Sequence, residues 1–170
     1  MAIHRLNHAV LWVRNAETSA AFYSEVLGFR MLPEYGASRG AVFLRAEGST
    51  NDHDLGLFSI GDDAPRPVGR AVGLYHLAWE VDTLADLERI AARLTQARSL
   101  VGATNHGTTR SLYAKDPDGI EFEIVWLVPA ALITDADRPG MAPLDLDADI
   151  ARFGANTPGG IGLSRPAPVG

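Results

Sequence analysis

Tyr75-His76-Leu77-Ala78-Trp79-Glu80-Val81 matches Asn7-His8-Ala9-Val10-Leu11-Trp12-Val13 at an offset of 68 residues, and a repeat at fixed spacing is the strongest architectural signal in the chain. Outward from the first copy, residues 6–13 read as a mostly buried strand. Asn15 can cap a helix starting at Ala16, with Phe22, Tyr23, Val26 and Leu27 as its apolar stripe and Gly28 as its stop. Strands are predicted at Phe29–Pro33, Gly40–Arg45 and Asp54–Ile60. Residues 61–71, with Pro65, Pro67 and several glycines, read as a linker.

The second copy follows the same plan. Thr83 with Asp86 three residues on resembles a capping box, and Leu84, Leu87, Ile90, Ala91 and Leu94 make the buried stripe of a second helix. Strands are predicted at Val101–Ala103, Arg110–Lys115 and Ile120–Trp126. The expected fold class is therefore α+β: two βαβββ modules, 4–60 and 72–128, sharing one domain over 1–128. Each module places one helix over one face of a small sheet, and the opposite face, with His76, Ala78 and Glu80, suits a cavity wall better than a core. Side by side, two such modules would make an open mixed β-barrel with a polar interior.

Residues 129–170 are rich in proline and glycine and read as an irregular tail. Leu144, Leu146, Ile150 and Phe153 could dock on the core or on a neighbouring subunit through a short helix ending at Gly154. Asp145, Asp147 and Asp149 alternate as in a calcium loop but lack its glycine and distal glutamate. The last dozen residues are expected to be loose.

The 170 residues carry a formal net charge of −6 without a basic cluster, which argues against nucleic acid as a partner. Without cysteine there are no disulfides or thiolate ligands, so any metal must sit on His, Asp or Glu. The chain opens without an apolar signal region and has no run long enough to span a bilayer, so a cytoplasmic protein with no membrane partner is the default expectation.

The repeat singles out His8 and His76, which occupy the same register on the first strand of each module. Asp116-Pro117-Asp118-Gly119 is a turn between two strands, and on the second strand Ile120, Phe122, Ile124 and Trp126 share the apolar face while Glu123 points away. Two histidines and a carboxylate with open positions form the facial triad of non-haem iron(II) oxygenases. Taken singly, a strand histidine is more often a hydrogen-bonded structural residue, and Glu121 lies on the same face as Glu123. In module one the equivalent of Glu123 falls near Leu55 or Leu57, which cannot ligate.

His106, a five-residue gap, Leu112-Tyr113, then Asp116-Pro117-x-Gly119 and Glu123 resemble the signature of type I extradiol ring-cleaving dioxygenases, of the vicinal-oxygen-chelate superfamily that also holds glyoxalase I and the bleomycin-resistance proteins. The resemblance implies the glyoxalase/bleomycin-resistance fold and a metal on His8, His76 and Glu123, either iron(II) or, alternatively, manganese(II) or another divalent ion. It further implies O2 as co-substrate, a catecholic substrate and a homodimer. His106 would shuttle protons at a substrate hydroxyl, with Tyr113 bonded to the same oxygen. Tyr113 could instead simply pack on the hairpin, and it faces Glu123 only if the turn holds an odd number of residues or a bulge. His53 resembles the family's histidine beside the oxygen site, although its flanking aspartates also suit a solvated loop. Trp12, Phe43 and Phe58 are candidate cavity-wall aromatics. Two rival readings use the same fold: a glyoxalase-like lyase or isomerase, typically with acidic ligands in both modules, and a metal-free binding protein of the bleomycin-resistance type.

Overall fold

The computed structural model describes residue 3 and residues 5–33, 40–69, 71–138 and 140–160. Expectations that fall on His4 or on residues 161–170 lie outside the described residues. The chain divides into two units, Met1–Ala71 with Asp116–Ile120, and Val72–Lys115 with Glu121–Gly170.

In the first unit, β1 (Ala9–Val13), α1 (Ala16–Leu27), β2 (Arg30–Met31), β3 (Ala41–Arg45) and β4 (Leu55–Ser59) follow the predicted order. The sheet order is β1-β4-β3-β2, with β1 parallel to β4 and the other pairs antiparallel. Alternation decides the faces. Leu11, Val13, Leu44, Leu55 and Leu57 are buried with Ala16, Ala20 and Tyr23 of α1, whereas Val10 and Trp12 stay exposed on the other side. The Asn15 side chain accepts the Thr18 N–H at 3.0 Å, capping α1 as its sequence requires. Asp54 organises the loop before β4 by accepting from the Ala46 N–H, the Ser49 hydroxyl and the Asn51 amide.

The aspartate turn belongs to this first unit. Asp116 Oδ1 accepts the N–H groups of Asp118 and Ile120, each at 2.9 Å, and the Tyr23 hydroxyl donates to Asp116 Oδ2 at 3.2 Å. Burial pushes the Asp116 carboxyl up, against the opposing pull of those amides. Burial, reinforced by Asp116, likewise holds the Tyr23 phenol well above its ordinary value.

In the second unit, β5 (Leu77–Glu80), α2 (Leu84–Gln96), β6 (Leu100–Asn105), β7 (Thr109–Lys115) and β8 (Glu121–Leu127) repeat the plan. The sheet order is β5-β8-β7-β6, with the two-residue strand β9 (Ala142–Pro143) beyond β6. Phe122, Ile124 and Trp126 are buried with Leu112 and Ala114 on one face, under Leu84, Leu87 and Leu94 of α2. The tail forms the short helix expected to end at Gly154, α3 (Leu146–Phe153), capped by Asp145. What the expectation of an irregular segment did not include is the fifth strand, β9, antiparallel to β6. Its anchor is Phe153, buried against Trp126 with ring centroids 5.5 Å apart.

A second departure concerns register. β1 pairs with β4 so that Val10 faces Gly56, while β5 pairs with β8 so that Ala78 faces Glu123. Because Val10 and Ala78 are repeat equivalents, Glu123 corresponds to Gly56, not to Leu55 or Leu57, which point into the core with 0% exposure. A Cβ at Gly56 would lie 3.3 Å from the Phe43 ring and 3.5 Å from Val10, so the aromatic ring occupies the space a side chain would need.

Candidate functional site

On the face of the second sheet away from its core, four side chains form a continuous polar chain. β7 and β8 are joined by residues 116–120, five in number, and this odd count sets Tyr113 directly opposite Glu123. The Tyr113 hydroxyl lies 3.4 Å from Glu123 Oε1. The other carboxylate oxygen, Oε2, is 3.2 Å from His76 Nε2. His106, in the β6–β7 turn, places Nε2 at 2.8 Å from the Tyr113 hydroxyl, and its Nδ1 is 3.2 Å from the Gly140 carbonyl. Glu121, the competing carboxylate, is paired in register with Lys115 at the far end of the hairpin.

The Gly140 carbonyl can only accept, so Nδ1 of His106 carries the proton in that bond and Nε2 of the neutral ring presents a lone pair. Tyr113 has a single hydroxyl proton, and at 2.8 Å it donates to His106 rather than across 3.4 Å to Glu123. If His106 becomes an imidazolium, Nε2–H donates to the phenol oxygen and the phenol proton turns to Glu123. Partial burial and the neighbouring Glu123 charge raise the Tyr113 pKa, which keeps the phenol protonated through either arrangement.

His76 Nε2 meets Glu123, and among the described residues its buried Nδ1 has no hydrogen-bond partner. A buried imidazole nitrogen left unbonded is costly, a feature shared among the described residues with atoms such as Ser111 Oγ and Trp126 Nε1. The 3.2 Å between Nε2 and Oε2 also matches the edge between adjacent ligands on one ion, since donors about 2.1 Å from a metal at right angles lie roughly 3 Å apart. Nitrogen with carboxylate oxygen suits iron(II), manganese(II) or zinc(II). The pair therefore fits a divalent metal. Among the described residues no three His, Asp or Glu side chains close into a metal group.

His8 lies in the first unit, exposed, with Nδ1 at 2.9 Å from the Asn7 amide oxygen. Its ring centroid lies 4.5 Å from that of His53 with the planes tilted by 45°, and His53 meets the Phe43 ring edge-on at 5.0 Å. The Asn7 contact fixes the Nδ1–H tautomer and leaves Nε2 as the potential donor, the arrangement a metal-binding histidine needs. Trp12, Phe43 and Phe58 share this sheet face, in edge contacts of 5.8 Å. The structure thus groups His76, Glu123, Tyr113 and His106 in one unit, and His8, His53 and the aromatic face in the other.

Arg110 escaped the sequence reading. It is 1% exposed, donates from Nε to Asp149 Oδ2 at 2.7 Å and from Nη1 to the Gly107 carbonyl, and lies 3.6 Å from Asp137. The signal was present: in period two, Arg110 shares the core face with Leu112 and Ala114, and a buried cation demands carboxylates.

Residues 5–124 match the family described as Glyoxalase/Bleomycin resistance protein/Dioxygenase superfamily, and the chain belongs to it. Members of this superfamily are mostly enzymes that act on small molecules and commonly bind divalent metals. The chain is 33% identical over 125 residues to a lactoylglutathione lyase of Neisseria meningitidis, covering 71% of this chain and 89% of the relative. It is 30% identical over 138 residues to a catechol-2,3-dioxygenase of Bacillus subtilis, covering 79% of this chain and 42% of the relative. Among solved structures, a glyoxalase/dioxygenase from Nostoc punctiforme superposes with a TM-score of 0.59 at 24% identity, over 71% of this chain and 89% of the other, which establishes the fold. No helix among the described residues is long and apolar enough to cross a membrane.

Proposed function

We propose that the protein is an extradiol dioxygenase that opens a catechol-type ring beside its vicinal hydroxyls, with His76 and Glu123 as metal ligands and His8 as the third ligand that the repeat selects. The observation that carries this reading is the chain His76–Glu123–Tyr113–His106, which couples a metal-type ligand pair to a proton-transfer pair within one sheet face. Iron(II) held there supplies the activation of O2 and of the catecholate. The residues themselves handle protons and orientation. His106 Nε2, its lone pair directed by the Gly140 carbonyl behind it, accepts the proton of a catechol hydroxyl that displaces the Tyr113 donor. Tyr113 then bonds the resulting oxygen, and its raised pKa keeps it a donor. The aromatic face of Trp12, Phe43 and Phe58 offers stacking surface for a planar ring.

A lyase reading has support from the lactoylglutathione lyase relative. Against it stands Gly56, which puts no carboxylate at the module-one position equivalent to Glu123. A homodimer and O2 as co-substrate are part of the proposal, and manganese(II) is the alternative metal.

The test separates binding from turnover. With iron(II) added anaerobically and a panel of catechols exposed to air, the parent should give the yellow ring-opened product. His76→Ala should lose bound metal. His106→Ala should keep it and slow turnover by about 10²–10⁴-fold, the usual worth of a positioned acid–base group. Metal content in His76→Ala equal to the parent's would remove the ligand assignment.

A further inference from the structure

The His106 tautomer is set from outside the βαβββ repeat. The Gly140 carbonyl that accepts from Nδ1 lies just before β9, which pairs Ala142 with Asn105, the residue preceding His106. Gly107, the residue after His106, has φ +88°. A Cβ there would sit 2.3 Å from the Arg138 carbonyl oxygen and 2.8 Å from that of Asp137, so the tail backbone rests directly on the turn. Three ion pairs hold it down. Arg110 reaches Asp149 at 2.7 Å and Asp137 at 3.6 Å, while Arg152 grips Asp137 with bonds of 2.7 and 2.6 Å. Asp137 also accepts from the Thr134 N–H and hydroxyl. Phe153 underlies both guanidinium groups, 5.3 Å from that of Arg110 and 4.3 Å from that of Arg152.

We infer that this tail is a positioning device: Arg110, Arg152, Asp137 and Asp149 latch residues 134–138 and Gly140 over Gly107, so that the Gly140 carbonyl holds His106 in the Nδ1–H tautomer and aims the Nε2 lone pair at Tyr113. These four are positioning residues, acting through a backbone carbonyl. The inference rests on the reading of His106 as the proton-transfer group only for its consequence in turnover; the tautomer itself is measurable without metal or catechol.

The test is a long-range ¹H–¹⁵N correlation spectrum of the full-length ¹⁵N-labelled protein at a pH where the ring is neutral, with His106 assigned by its absence in His106→Asn. The parent should show a protonated Nδ1 and an unprotonated Nε2. In Gly107→Ala, whose Cβ forces the tail away, the ratio of Nε2–H to Nδ1–H should rise by about tenfold, the worth of one hydrogen bond. Arg152→Met loosens the same latch at a partly exposed residue and serves if Gly107→Ala does not fold; the same shift in direction is expected. A parent ring protonated on Nε2 would overturn the inference. So would an unchanged tautomer in the folded Gly107→Ala, or in Arg152→Met where that variant has to serve. Failure to open any catechol, with the Nδ1–H tautomer intact, would count against the proposed function and leave the positioning device standing.

Discussion

The two modules share a backbone plan and differ at one decisive register position. Where β5 and β8 set Ala78 against Glu123, β1 and β4 set Val10 against Gly56. In the second module the outer sheet face bears an imidazole, a carboxylate, a phenol and a second imidazole, each within 3.4 Å of the next in that order. In the first it bears Trp12, Phe43 and Phe58 with a histidine pair at the edge. Duplication of a fold therefore need not duplicate its polar side chains: one copy carries the hydrogen-bonded polar chain and the other a largely aromatic face. The carboxylates outside the site diverge as well. Asp116, in the first unit, is buried beside a phenol and its pKa is raised. For Asp137, in the second, burial is outweighed by Arg152 and Thr134, which hold it at about 2.

The most damaging way to erase this contrast is to remove the side chain that creates it. Glu123→Ala should lower ring opening by at least about a thousandfold, the several kcal/mol a metal supplies to the transition state. Thermal stability should change little, because Glu123 is off the core face. An undiminished rate, read by product absorbance, would show that the two positions are equivalent after all.

Acid should act through these two carboxylates with opposite sign. Asp137 has its pKa lowered from 3.8 to about 2, so its stabilisation is complete above pH 4 and is lost as pH falls through 2, an effect of up to about 2 kcal/mol. Asp116, being raised, favours the folded state more as it takes up its proton. Urea midpoints measured at pH 5 and pH 2.5 should therefore fall less in Asp137→Asn than in the parent. Equal losses would remove the ion pair from the acid response.

The smallest effect belongs to the apolar wall. Trp12 is 69% exposed, so Trp12→Ala should shift stability by no more than about 0.5 kcal/mol. It should raise KM for a catechol by about tenfold, the worth of a lost aromatic contact. An unchanged KM would take the first module out of substrate binding.

Much of this was legible beforehand. Period-two alternation and the repeat gave the strands, both helices and the outward direction of Glu123, because buried faces impose a pattern. The partnering of Tyr113 with Glu123 was not, since it turns on whether β8 begins at Ile120 or Glu121, and a one-residue slip reverses every side chain. The same ambiguity hid Gly56 between two leucines. In the tail the helix ending at Gly154 was legible, but its fixing was not: prolines and glycines suggest irregularity, whereas Arg110 on a core face was the sign that Asp137 and Asp149 had to pack over it. Local composition reports local propensity, and a buried ion pair across 39 residues overrides it.

Oxygen uptake tests the central claim most directly. An iron(II)-loaded parent protein, given a limiting catechol in an oxygen-electrode cell, should consume one O2 per ring opened, and Glu123→Ala should consume none above background. Absence of uptake with every catechol tried, from protein that holds one metal ion per chain, would contradict the dioxygenase assignment and turn the reading to the lyase class of its relatives.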